Sequence, residues 1–127
     1  MAEAIVRARL LRNGMQVASA GLAAMRGFPI DPHAQAALTM HGYDGAEHVA
    51  RQASKPLMLQ SDLVLAMEQR QVAAVLALCP RLRGRVLMLT HWDDGSDIDD
   101  PYGRDQQAFD FAFNRIESCI RDWRTKL

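Results

Sequence analysis

The residues best suited to chemistry lie in one segment, His91-Trp92-Asp93-Asp94-Gly95-Ser96-Asp97-Ile98-Asp99-Asp100-Pro101-Tyr102-Gly103. Composition alone reads it as a solvated acidic loop or a weak cation site. Two features point further. Trp92 and Tyr102 are costly aromatic residues to leave in a loop. Asp100-Pro101-Tyr102 also sets a carboxyl group beside a phenol ring through the fixed φ of proline. Such a carboxyl can act as a general acid toward a leaving oxygen held near that ring. A second segment, Val17-Ala18-Ser19-Ala20-Gly21, puts a hydroxyl at the end of a candidate strand, and turn formation explains it equally well.

Other chemistries find little support. Four histidines (His33, His41, His48, His91) and two distant cysteines (Cys79, Cys119) show no zinc-ligand spacing. His41 and His48 are separated by a turn-rich stretch, so surface or capping roles suit them, and no metal is expected. Neither a GxGxxG nor a GxxxxGK[ST] string occurs, and no organic cofactor is expected. Fifteen Lys+Arg balance fifteen Asp+Glu, which argues against a nucleic-acid partner, since such proteins carry a basic face. No apolar run approaches the roughly 20 residues of a membrane span. Two cysteines build no secreted disulfide framework. A cytoplasmic protein with no membrane partner is expected.

At 127 residues and 49% hydrophobic composition, a single globular domain over 1–127 is expected. Met1–Leu11 spaces Ile5, Val6 and Leu10 at helical intervals, and Asn13-Gly14 supplies a left-handed stop. Gln16–Ala20 is a strand candidate. Asp31 before Pro32 predicts an N-cap, with a helix through Ala36, Ala37, Leu38 and Met40 to Gly42. Leu63–Met67 and Val86–Leu89 are two further strand candidates, joined by a helix over Glu68–Leu78. After the polar loop His91–Arg104, a long helix over about Asp105–Lys126 carries Phe109, Phe113, Ile116, Ile120 and Trp123 at 3–4 spacing. The order αβαβαβα implies an α/β fold, a parallel sheet with helices on both faces. In such sheets ligands bind beyond the carboxyl ends of the strands, where the acidic loop lies.

Five short segments then occur in order: Ser19-Ala20-Gly21-Leu22, Asp31-Pro32-His33-Ala34, His48-Val49-Ala50-Arg51-Gln52, Met67-Glu68 and Asp99-Asp100-Pro101-Tyr102. Together they resemble the low-molecular-weight protein tyrosine phosphatases along the whole chain. His91-Trp92-Asp93 is similar to the bacterial branch associated with exopolysaccharide tyrosine kinases. The resemblance implies a Rossmann-like parallel sheet and hydrolysis of phosphotyrosine through a cysteinyl-phosphate. It implies Asp100 as general acid, Trp92 and Tyr102 as walls around the phosphotyrosine ring, and Ser19 and His48 as support for the phosphate loop. The implied partner is a phosphotyrosine protein such as a bacterial tyrosine kinase.

The family's first strand leads into a loop Cys-x5-Arg-Ser/Thr-Pro, immediately followed by the helix that here begins Met1-Ala2-Glu3-Ala4. That strand and loop do not occur in this sequence. The chain is therefore expected to be an N-terminally truncated domain with three strands of the family's four, no nucleophile and no activity. Cys79-Pro80-Arg81-Leu82-Arg83-Gly84-Arg85 matches Cys-x5-Arg as a string, but a helix precedes it and a strand follows. A helix C-terminus disfavours a thiolate, and Pro80 removes a donor. Cys119 falls inside the last helix as packing. The gap between Gln16–Ala20 and Leu63–Met67 is expected to destabilise or rearrange the fold, or to be filled by self-association. A non-catalytic interaction module is the alternative function. An arsenate reductase of the same fold is disfavoured, because Glu68–Leu78 holds no cysteine.

Overall fold

The structure is a computed structural model that describes residues 1–10, 14–23 and 27–127. Its chain order is α1 (Ala2–Arg9), α2 (Pro32–Met40), α3 (Lys55–Leu59), β1 (Val64–Ala66), α4 (Gln69–Leu78), β2 (Val86–Met88) and α5 (Gln106–Arg124). Short 3-10 turns follow α4 at Pro80–Leu82 and β2 at Leu89–Trp92. Among the described residues no helix is long and apolar enough to cross a membrane.

The sheet is parallel, as expected for strands that alternate with helices. β1 and β2 pair in register Val64↔Val86, Leu65↔Leu87 and Ala66↔Met88, with α4 as the crossover. Successive strand residues face opposite sides. Leu65 and Leu87 therefore pack toward the main core with Ile5, Leu38, Phe113 and Ile120. Val64 and Val86 pack toward a second cluster of Met58, Val75, Cys79 and Leu82. Helices α1, α2 and α5 thus cover one face, and α3 and α4 the other.

The strand expected at Gln16–Ala20 does not form, and the sheet among the described residues has two strands. A strand exists only through a neighbour that takes its backbone groups. Here α1 supplies side chains in place of a ladder: Arg7 Nη2 donates to Val17 O at 3.2 Å and Ser19 N donates to Glu3 Oε1 at 3.1 Å. Pairing starts only at Gly21, whose N–H donates to Arg51 O and whose carbonyl accepts from Ala53 N, both at 2.9 Å.

The helix signals map closely onto the elements. Asp31 Oδ1 accepts from His33 N at 2.8 Å, and Pro32 opens α2. At its far end Gly42 has φ +81°. Gly42 N reaches Thr39 O, and Tyr43 N reaches Leu38 O, closing a Schellman motif over the buried Leu38–Tyr43 pair. Asn13 of the expected stop to α1 lies outside the described residues; Gly14 has φ +83°. Helix α3, unexpected from the sequence, is capped by Ser54 Oγ, which accepts from Leu57 N at 3.3 Å. Asp105 caps α5 by accepting from Ala108 N at 3.0 Å. That helix buries Phe109, Ala112, Phe113, Ile116, Cys119, Ile120 and Trp123, one apolar stripe against α1 and α2.

Candidate active site

The acidic segment is a pinned loop rather than a free one. Past β2 the chain makes its 3-10 turn, with Trp123 Nε1 donating to Leu89 O at 2.8 Å. Thr90 Oγ1, buried, donates to Ser96 O at 2.8 Å. Ile98 is buried, and its N–H donates to Met67 O at 2.8 Å, tying the loop to the carboxyl end of β1. Asp97 Oδ1 accepts from Gln69 N at the start of α4, also at 2.8 Å. Arg115, from the middle of α5, donates to Asp97 O at 2.8 Å, to Ser96 Oγ at 3.0 Å and to Asp94 Oδ1 at 3.3 Å. Bonds from Ser96 N and Oγ, with a lesser contribution from Arg115, hold the Asp94 carboxyl below the usual carboxylate range.

Asp100 and Tyr102 occur at the next bend. Asp100 Oδ1 accepts from Tyr102 N at 3.0 Å, and Arg104 N donates to Pro101 O at 2.9 Å. Gly103, at φ +80°, takes the turn position that an L side chain would strain. The turn leaves Tyr102 59% exposed at its corner, and Asp100 is exposed as well.

Ser19 and His48 meet through a residue that the sequence reading passed over. Glu3, in the first turn of α1, accepts from Ser19 N through Oε1 and lies 3.3 Å from His48 Nδ1 through Oε2. Arg7, one turn on, is 3.7 Å from Glu3 Oε1. An acidic residue in a helix's first turn is an ordinary capping signal, and nothing in the sequence distinguished it from one. Arg115 carried no signal either, since it reads as one more cation on the polar side of α5.

Trp92 is not brought beside Tyr102. Its ring packs edge-on against Trp123 at 5.6 Å and lies under Lys126 Nζ at 4.7 Å, by the C-terminal end of α5. Asp100 and Tyr102 precede the N-terminus of that helix, whose 19 residues span about 28 Å at ~1.5 Å per residue. The surroundings of Trp92, expected as a ring wall, are thus the packing of the C-terminal end of α5.

The two thiols are both in the core. Cys79 is 3% exposed among Met58, Val75, Leu82 and Val86. It ends α4, with its N–H bonded to Val75 O and its carbonyl to Leu82 N. Arg85 of the same string turns away to donate to Ser61 O at 3.4 Å. A helix ends at Cys79, so no fan of free amides faces its sulfur. Cys119 is buried in α5, and burial pushes its thiol pKa up. Among the described residues no group of three or more His, Cys, Asp or Glu side chains could hold a metal ion.

Comparison with known proteins adds kinship to this geometry. The model of the family described as low molecular weight phosphotyrosine protein phosphatase matches residues 1–127. The low molecular weight protein-tyrosine-phosphatase Wzb of Salmonella typhimurium is 38% identical over 122 residues, 94% of this chain and 82% of that protein. The crystal structure of the Erwinia amylovora tyrosine phosphatase AmsI superposes with a TM-score of 0.92 at 32% identity, covering 99% of this chain and 82% of that one. Vibrio vulnificus Wzb, solved in complex with benzylphosphonate, gives 0.92 at 31% identity, with 99% and 88% coverage.

Proposed function

We propose a function from a fixed premise: this chain belongs to the low molecular weight phosphotyrosine protein phosphatase family, and its substrate is phosphotyrosine in a protein, for example a bacterial tyrosine kinase. The observation that carries this reading is the Asp100-Pro101-Tyr102 turn at the end of the pinned loop. Asp100 is the general acid. As sulfur bonds to phosphorus and the phosphorus–oxygen bond breaks, the Asp100 proton passes to the departing tyrosine oxygen; the resulting carboxylate then takes a proton from the water that cleaves the sulfur–phosphorus bond. Tyr102 flanks the ring. Ser19 and His48, joined through Glu3, brace the start of α1, where a phosphate-binding loop of this family would end. No metal or organic cofactor is required, and the protein acts in the cytoplasm.

Neither cysteine of these residues is placed to supply the attacking sulfur. Cys79 and Cys119 are both enclosed by apolar side chains, so a polypeptide of these 127 residues alone is inactive. Purified protein is expected to release no p-nitrophenol from p-nitrophenyl phosphate above a buffer blank. Turnover that survives Cys79→Ser and Cys119→Ser but disappears in Asp100→Asn would overturn the account of the nucleophile. The same burial supports the alternative reading, a non-catalytic phosphatase-like module that binds without turnover.

One edge of β1 bears on assembly. β2 is the only strand paired with β1 among the described residues, and an open edge recruits another chain. Self-association through that edge is expected, seen as a mass that rises with concentration in light scattering after size exclusion. A monomer mass held constant across the accessible concentration range would remove it.

A further inference from the structure

A cavity of about 440 Å³ lies between the loop and α5, directly beside the proposed acid. Asp99 and Pro101, the two chain neighbours of Asp100, both line it. Asp100 itself does not line it, so the opening lies beside the acid rather than over its carboxyl, where residues adjoining a phosphotyrosine held at Asp100 would pass around the turn. Its outer wall is Phe111, 69% exposed on α5.

The charges around the cavity are unbalanced. Asp97, Asp99 and Asp105 line it, with Asp94 behind Arg115, against the guanidinium groups of Arg104 and Arg115. Arg115 is already spent on Asp94, Ser96 and Asp97. Asp97 and Asp105 each use Oδ1 on a helix N-terminus, and both carboxylates line the cavity. Four carboxylates against two cations leave an excess of negative charge within a Debye length of the opening. An exposed aromatic face beside such carboxylates suits a long cationic side chain, whose methylene stem covers the ring while its charge meets the acids.

We propose that this cavity binds a lysine or arginine side chain adjoining the phosphotyrosine, so that the protein selects phosphotyrosines in basic sequence. The proposal rests on the phosphotyrosine reading above and adds the character of the flanking residues. An acidic flank would reach Arg104 but would meet the surrounding aspartates at close range.

The 15N-labelled protein can be titrated with three peptides: phosphotyrosine between lysines, phosphotyrosine between glutamates, and unphosphorylated tyrosine between lysines. The lysine phosphopeptide is expected to shift the amide signals of Asp99, Arg104 and Phe111. It should bind about tenfold more tightly than the glutamate peptide at low salt, with the difference narrowing as salt rises. Asp99→Asn and Phe111→Ala, both at exposed positions, should each cut that preference to about threefold or less. Equal affinities, a preference for glutamate, or a lysine preference indifferent to both substitutions would overturn the proposal. The third peptide separates the two claims. Lysine preference keeps the cationic subsite whether or not phosphate is required, since the family's phosphate loop is not among these residues, whereas phosphate dependence without lysine preference removes the subsite and keeps the phosphotyrosine reading.

Discussion

With a strand and a Cys-x5-Arg-Ser-Pro loop joined ahead of Ala2, Asp100→Asn is expected to lower kcat for a phosphotyrosine peptide by about 10²–10⁴-fold. The loss comes from the leaving group. A tyrosine oxygen has a phenol pKa of roughly 10, so it departs poorly as an anion at neutral pH and needs the proton that Asp100 Oδ2 would supply. An amide in its place keeps the shape and the bond from Tyr102 N but has no such proton. A more acidic phenol leaves without help, so the same variant should lose much less on p-nitrophenyl phosphate. The ratio of the two losses is the informative quantity. Equal losses on both substrates would mean that Asp100 positions the turn or the substrate and transfers no proton.

Much of this arrangement was legible in the sequence, for local reasons. Asp31-Pro32 and Gly42 announced the two ends of α2 because capping depends on residues only a few positions apart. The continuous apolar runs Leu63–Met67 and Val86–Leu89 identified both strands, since a parallel sheet buries both of its faces. The 3–4 stripe of α5 predicted its buried side. The turn that carries Asp100 and Tyr102 was legible because Pro101 between them fixes the local backbone.

What was not legible depends on residues far apart in the chain. Gln16–Ala20 has strand-like composition, but its backbone partners are the α1 side chains Glu3 and Arg7. No local pattern encodes whether a neighbour strand exists. Glu3 joins Ser19 to His48 across separations of 16 and 45 residues. Trp92 is a further case: an aromatic residue in a polar loop invited a functional role, and Trp123, 31 positions later, supplies a ring it packs on. Helix α3 was missed because its few apolar residues form no periodic stripe, although Ser54 with Pro56 is a cap signal when weighed alone.

The core beneath the loop offers the sharpest test of stability, because α5 carries two phenylalanines two positions apart in opposite surroundings. Phe113 is fully buried, with its ring stacked on His41 at 4.2 Å and tilted against Tyr43 at 5.9 Å. Phe111 stands 69% exposed at the cavity's edge. Phe113→Ala is expected to cost about 3–5 kcal/mol, the lost transfer energy plus the void left among Ile5, Leu38 and Ile116. That is a large share of a typical total of about 5–15 kcal/mol. Phe111→Ala should stay within about 0.5 kcal/mol. Urea unfolding followed by circular dichroism measures both, and comparable costs would contradict the orientation assigned to α5. The same rotation of the helix that buries Phe113 also aims Arg115 at Asp94, Ser96 and Asp97. In Phe113→Ala the loop amides from Ser96 to Ile98 should therefore lose hydrogen-exchange protection together with the core, because the cation that pins them is carried by the helix the core holds in place.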